Sequence, residues 1–274
     1  MSSEETWKTR DKSVAWFHEK PQISPSAFLL LEAYSQIPAN EVIDHVVNVR
    51  NDAWEVFPYP CIGQFLFLDL SLKEYEEYGE VLERLGQGQT FLDMGCCFGQ
   101  EIRQLTADGV PSENLFGCDL EKNYHELGYR LFNDRDRLHA KFLTASIFDN
   151  DSALTNLNGT FDIVYAGSFL HLFGYTEQVT AAKAIAALLR PQKGSMLLGR
   201  QIGATKAVAV ENPADNKRTM FQHSAESFES MWKDIGEQLG ITFTVQATLS
   251  EVQGRHKGFL TSDMRLLHFI VRRQ

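Results

Sequence analysis

The residues best suited to chemistry close a short apolar run. FLDMGCCFGQ, Phe91 to Gln100, ends on Asp93 and a glycine turn, Gly95 and Gly99. Glycines there let the backbone turn tightly and approach a ligand, and the helix expected next offers free N–H groups. Such a turn suits a phosphate or a zwitterion, and Asp93 separates the two: a carboxylate repels pyrophosphate and attracts an ammonium group. Asp119, closing NLFGCD, is placed to accept both hydroxyls of a ribose. In TASIFDND, Ile147 and Phe148 offer walls for an adenine and Asp149 an acceptor for its amino group. In FDIVYAGSFLHLF, Ala166, Gly167 and Ser168 leave room beside a reacting centre, and His171 follows. Ribose together with an ammonium group points to S-adenosylmethionine.

These positions share one feature, which is that each follows a β-like run. TFLDMG, NLFGCDL, AKFLTASIF, FDIVYAGS and SMLLGRQ are five candidate strands with room between them for crossover helices. TEQVTAAKAIAALLR has a helical apolar period and stops at Pro191 and Gly194. The tail adds an acidic amphipathic helix, SAESFESMWKDIGEQLG, then ITFTVQATL and MRLLHFIVRR as a closing antiparallel pair. The pattern predicts an α/β fold: a mostly parallel sheet covered by helices, binding its ligand at the strands' carboxyl ends. Residues 1–84 read as a helical N-terminal cap and 85–274 as the ligand-binding core of one unit, with no linker between them.

Composition narrows the function. The chain has 274 residues, 43% hydrophobic and 11% aromatic, enough for a sizeable core. Its 26 basic and 36 acidic side chains give a net charge of −10, which argues against nucleic acid and anionic lipid as partners. Cys61, Cys96, Cys97 and Cys118 show no metal-ligand spacing and read as reduced thiols. No signal peptide or transmembrane run is visible, so the expectation is a cytoplasmic protein. No metal is expected.

On the strand-end residues quoted above, residues 85–202 resemble the class I S-adenosylmethionine-dependent methyltransferases. The resemblance implies a Rossmann-like, seven-stranded sheet with one antiparallel strand. It implies that Asp93, Gly95, Cys97 and Gly99 form the methionine-side turn, that Asp119 and Leu120 hold the ribose edge, and that Ser146, Ile147 and Phe148 flank adenine. Ala166 and Ser168 would complete the site, and YPCIGQF would close over it with Tyr59 and Gln64. Cys97 stands where the family has its middle glycine. YPCIGQFLFL, FLDMGCCFGQ and SFLHLF together look like the fungal O-methyltransferases of secondary metabolism, in particular those that methylate the carboxyl group of a prenylated polyketide acid in meroterpenoid pathways. This implies a farnesylated dimethylorsellinic-acid-type substrate, and family likeness makes a homodimer plausible.

Methyl transfer from a sulfonium is an in-line displacement, so the protein must align groups and exclude water. A carboxylate acceptor is ionised near neutral pH, whereas a phenol, with a pKa of about 10, profits from a base. His171 is the candidate to orient the first or deprotonate the second, and Arg200 and Gln201 are candidates to grip a carboxylate. His171 and Arg200 read equally as a packing residue and a rim salt bridge. Trp54, Phe57 and His223 are candidates for the substrate side; the cap aromatics read equally as core and His223 as part of a helix start capped by Ser224. Three readings compete with the leading one: methylation of a phenolic hydroxyl, an NAD-dependent oxidoreductase, and a non-catalytic module on the same fold. The missing GxGxxG and the position of Asp93 count against the oxidoreductase.

Overall fold

The computed structural model describes residues 10–212, 215–252 and 263–274. Its centre is a seven-stranded sheet. The strands are β1 (Phe91–Met94), β2 (Leu115–Asp119), β3 (Lys141–Thr144), β4 (Ile163–Tyr165), β5 (Met196–Ala204), β8 (Phe243–Ser250) and β9 (Met264–Arg273), with a hairpin, β6 (Val208–Asn212) and β7 (Asp215–Gln222), set apart. The order is β3-β2-β1-β4-β5-β9-β8. β1 to β5 pair in parallel, and β9 runs antiparallel to both β5 and β8, so it alone is reversed. Strand order turns back between β1 and β4, where open α/β sheets form their ligand crevice.

Among the described residues four α-helices precede β1: α1 (Pro25–Leu29), α2 (Val42–Val56), α3 (Pro60–Gly63) and α4 (Tyr78–Gly86). α2 buries Val42, Val46, Val49 and Ala53, a stripe at helical spacing. It ends where Pro58 disfavours helical backbone for the residue before it: Phe57 is extended, at φ −154 and ψ 125. Pro60 then supplies the first turn of α3. After β1 come α5 (Gln100–Ala107), α6 (Lys122–Phe132), α7 (Tyr175–Leu188) and α8 (Ala225–Leu239). Ser224 caps α8 by accepting from the Ser227 N–H, and Gly240 ends it at φ 66.

Helices cover both faces. α7 and α8 pack Ala182, Ile185, Phe228 and Trp232 against Leu92, Val164, Leu197 and Phe269. On the opposite face α4 and α5 pack Val81, Leu85, Ile102 and Leu105 against Phe91, Ile163 and Leu198. The N-terminal helices share their core with Phe98 of the glycine turn and with Tyr124, Leu131 and Phe132 of α6. The β6–β7 hairpin falls within residues 203–225, where the sequence showed no element.

Candidate active site

The glycine turn leaves β1 with three consecutive odd positions in left-handed backbone: Gly95 at φ 76, Cys97 at φ 51 and Gly99 at φ 68. A Cβ on Gly95 would lie 2.9 Å from the Phe169 ring, and one on Gly99 would lie 2.6 Å from the Arg103 guanidinium and 2.8 Å from the Phe142 ring. Both positions therefore require glycine on two counts. Cys97 carries the side-chain strain of this region, of order 1 kcal/mol. Its geometry directs the Cys97 N–H to Asp119 Oδ2 at 2.8 Å, a charge-assisted bond that offsets the strain. Oδ1 of the same carboxylate accepts from the Glu121 N–H at 3.1 Å. The turn is braced from behind by Arg103, which donates to the Phe98 carbonyl at 2.7 Å and pairs with the fully buried Asp134 at 2.9 Å.

Asp93 is only 3% exposed, and its Oδ2 is buried with no hydrogen-bond partner among the described residues. Burial, then the neighbouring Glu101 and Asp119 charges, push its carboxyl well above the usual range. The N–H groups of Gly95, Cys96, Cys97 and Gly99 are all paired within the protein, so the open group at the turn is the buried Asp93 acceptor, which suits an ammonium group. The turn, Asp119, and the loops after β3 and β4 all lie at the carboxyl ends of parallel strands. After β2, Leu120 is 60% exposed; after β3, Phe148 is 37% exposed while Ile147 packs on the core and Ser146 Oγ accepts from the Phe148 N–H. Ala166 is buried, Ser168 takes φ 54 with its N–H on the Arg200 carbonyl, and His171 sits half-buried on the turn Leu170–Leu172.

α3 reaches this corner from the N-terminal side. The Cys61 thiol is pushed up to about 12 by burial and by the Asp119 charge, and burial with the charges of Cys61, Asp119 and Glu121 also pushes the Tyr59 phenol up. Tyr59 stacks on Phe57 at 4.0 Å and approaches Tyr124 edge-on at 6.4 Å, and Gln64 is buried. Trp54 is different. Its ring is fully buried, edge-on to Phe17 at 5.0 Å and against Gly63, where a Cβ would clash with it at 2.9 Å. It supports the N-terminal core, as the stripe of α2 dictates, and offers no face to a substrate.

Strand alternation divides the acceptor candidates. Arg200 points to the α4–α5 face, where Asp69 and Glu74 hold its guanidinium at 3.3 Å each. The Arg200 fork is engaged as the rim salt bridge the sequence also allowed, and Gln201, the other candidate grip, lies on the opposite face. Gln201 is fully buried, and neither its Oε1 nor its Nε2 has a partner among the described residues. His223, also fully buried, follows the hairpin; its carbonyl accepts from the Ala204 N–H, and its ring meets Phe228 at 5.5 Å, which in turn stacks on Phe269. His223 Nδ1 pairs with Ser227 Oγ at 2.8 Å, Nε2 has no partner among the described residues, and burial pushes the ring's pKa down to about 4.

Two residues were missed by sequence reasoning. Glu101 and Ser71 are joined beside Asp93's face of the sheet by buried hydrogen bonds, the Ser71 N–H and hydroxyl donating to Glu101 Oε1 at 2.8 and 2.9 Å, and an acid in the first turn of a helix reads from sequence as an ordinary exposed partner of the helix dipole.

Comparison with known proteins decides what this arrangement belongs to. Residues 91–192 match the methyltransferase domain model, and residues 16–68 match the meroterpenoid methyltransferase N-terminal domain. The chain is 42% identical over 247 residues to O-methyltransferase phiE of a fungal species, covering 88% of this chain and 81% of that protein. The chain belongs to the class I S-adenosylmethionine-dependent methyltransferases. This methyltransferase is also 39% identical over 227 residues to the asnovolin E/chermesin D methyltransferase nvfJ of Aspergillus novofumigatus, covering 82% of this chain and 81% of that one. Its fold resembles the crystal structure of the Burkholderia thailandensis 1,6-didemethyltoxoflavin-N1-methyltransferase, with TM-score 0.54 and 16% identity over 84% of this chain and 89% of the other. Among the described residues of the methyltransferase, no helix is long and apolar enough to cross a membrane.

Proposed function

We propose that the enzyme O-methylates the carboxyl group of a prenylated aromatic polyketide acid, of the farnesylated dimethylorsellinic-acid type, in fungal meroterpenoid biosynthesis. S-adenosylmethionine supplies a methyl group on a sulfonium. Asp93 and the Gly95–Gly99 turn seat its methionine end. Asp119, with Leu120, holds the ribose, and Ser146, Ile147 and Phe148 border the adenine. Tyr59 and Gln64 cover the site from α3, and Ala166 and Ser168 leave space at the reacting centre.

The observation that carries the carboxylate reading is the state of Gln201 and His223. Both are fully buried, both present polar atoms without partners among the described residues, and neither carries charge near pH 7. An imidazole with a pKa near 4 is a poor acceptor for a phenolic proton, which leaves its conjugate base only at about pH 10. A carboxylate needs no base. It needs donors that orient one oxygen towards the methyl group, and the Gln201 amide fits that need. His171, at the end of the post-β4 turn, is the second orienting group. Phe57, beside Tyr59, supplies apolar surface for a prenyl chain. The match to the meroterpenoid methyltransferase N-terminal domain and the similarity to O-methyltransferase phiE support O-methylation of a meroterpenoid.

The test offers a farnesylated aromatic acid and its decarboxylated phenol in parallel, with isotopically labelled methyl donor. The expected product is a methyl ester, formed from the acid alone and cleaved by mild alkali. A label that survives alkali, or equal turnover of the phenol, overturns the reading in favour of a phenolic ether.

A further inference from the structure

His223 sits where the hairpin meets β5. Its carbonyl accepts from the Ala204 N–H at 2.9 Å and would meet a Cβ on Gly203 at 2.6 Å; Gly203 and Gln201, two residues apart, share one face of the strand. The imidazole lies 4.8 Å from the Phe221 ring, 5.5 Å from Phe228 and 5.9 Å from Tyr175, which opens α7 just past the His171 turn. Nδ1 is 2.8 Å from Ser227 Oγ, and the same Oγ is 3.1 Å from the Ser224 carbonyl, to which it can only donate. A serine hydroxyl has one hydrogen, and a neutral imidazole has one. Both contacts are hydrogen bonds in a single arrangement: the Ser227 hydroxyl donates to the Ser224 carbonyl, and His223 carries its proton on Nδ1 and donates to Ser227 Oγ. The other tautomer spends the serine hydrogen on Nδ1, forfeits the bond to the carbonyl and leaves a buried Nε2–H donor.

We propose that His223, held by Ser227 as the Nδ1–H tautomer, uses its bare Nε2 to accept a hydrogen bond from a neutral hydroxyl of the acceptor substrate, so that the enzyme selects acids that carry a free hydroxyl. This rests on the reading of Gln201 and His223 as the acceptor side of the site. His223 touches the substrate and sets specificity. Ser227 acts through it and is a positioning residue.

The chemistry of the open atom chooses the ligand group. His223 is fully buried, and Nε2 has no hydrogen-bond partner among the described residues. A buried acceptor left unmet is costly, and a donor arriving on a ligand removes that cost. A carboxylate cannot be that donor, because its oxygens would set lone pairs against a lone pair. The carboxylate falls instead to Gln201, whose buried amide offers N–H donors. The two side chains therefore ask for different groups on one molecule: Gln201 for an ionised carboxyl, His223 for an O–H. No proton moves at His223. Burial keeps the ring from taking charge, so the hydroxyl is recognised, keeps its hydrogen and is left unmethylated.

The experiment compares kcat/KM for a farnesylated, hydroxylated aromatic acid with analogues in which each ring hydroxyl is replaced in turn by hydrogen. Wild type is expected to prefer the parent acid over one of these analogues by about 10- to 100-fold. His223→Phe keeps a ring among its aromatic neighbours and should bring that ratio to about one. Ser227→Ala frees the tautomer and should lower the ratio, and Ser227→Thr, which retains the hydroxyl, should restore it. Nitrogen-15 NMR of histidine-labelled protein reads the tautomer directly: the signals lost in His223→Phe are expected to be a protonated Nδ1 and a bare Nε2, and Ser227→Ala, which perturbs the same signals, identifies them if the Phe variant fails to fold. Protonated Nε2 in wild type, equal turnover of every analogue, or an undiminished preference in His223→Phe would overturn the proposal. Equal turnover to an alkali-labile ester would sink it and leave the carboxyl reading standing, whereas an alkali-stable label would sink that reading and this one with it.

Discussion

The two faces of the sheet are equipped in opposite ways at its carboxyl end. On the α4–α5 face, ionisable groups are dense: Asp93, Glu101 and Arg200 lie buried together, with Asp69 and Glu74 completing the network. On the α7–α8 face, Gln201 and His223 are buried and neutral, set against the aromatic pair Phe228 and Phe269. The difference teaches how labour is divided in methyl transfer. Burial pushes the Asp93 and Glu101 carboxyls up, so a cation arriving there would favour their ionised form. The carboxylate acceptor proposed for the other face would need orientation in a dry setting, where a charged base would be costly to keep.

The comparison breaks most readily at Asp119. Asp119→Ala removes the acceptor proposed for the ribose hydroxyls and strands the Cys97 and Glu121 N–H groups. Affinity for S-adenosylhomocysteine should fall by about 100-fold, measured by calorimetry on protein shown to be folded by circular dichroism. Binding that persists within a few-fold would detach the ribose from this corner.

Cys97 gives a smaller and opposite effect. Cys97→Gly relieves the left-handed strain at φ 51 while keeping the N–H bond to Asp119. The variant is expected to unfold about 0.5–1 kcal/mol harder than wild type in chemical denaturation, with S-adenosylhomocysteine binding retained. Loss of stability would mean that the thiol's packing outweighs the backbone strain.

Much of this was legible in the sequence because strand ends carry the ligand in an open α/β sheet. FLDMGCCFGQ and NLFGCD placed the glycine turn and Asp119 correctly after β1 and β2, and ITFTVQATL and MRLLHFIVRR formed the antiparallel closure. The β6–β7 hairpin was not legible: β6 is mostly exposed, so its residues carry little core pattern. Trp54, which the sequence allowed equally as core or as substrate contact, is buried in the N-terminal core, because one apolar ring looks like another until its neighbours are known. Arg200 and Gln201, adjacent in sequence, separate onto two faces by strand alternation. Glu101 escaped notice because its burial depends on Ser71, thirty positions upstream, folding over it.

The measurement that tests the division between the faces most directly is a paired assay of Gln201→Leu: titration with S-adenosylhomocysteine, and kcat/KM for a farnesylated aromatic acid. The account predicts cofactor affinity within about twofold of wild type and kcat/KM lowered by about 10- to 100-fold, from one lost hydrogen bond to a charged group. A loss of cofactor binding of the same size as the loss of turnover, or turnover left intact, would contradict it.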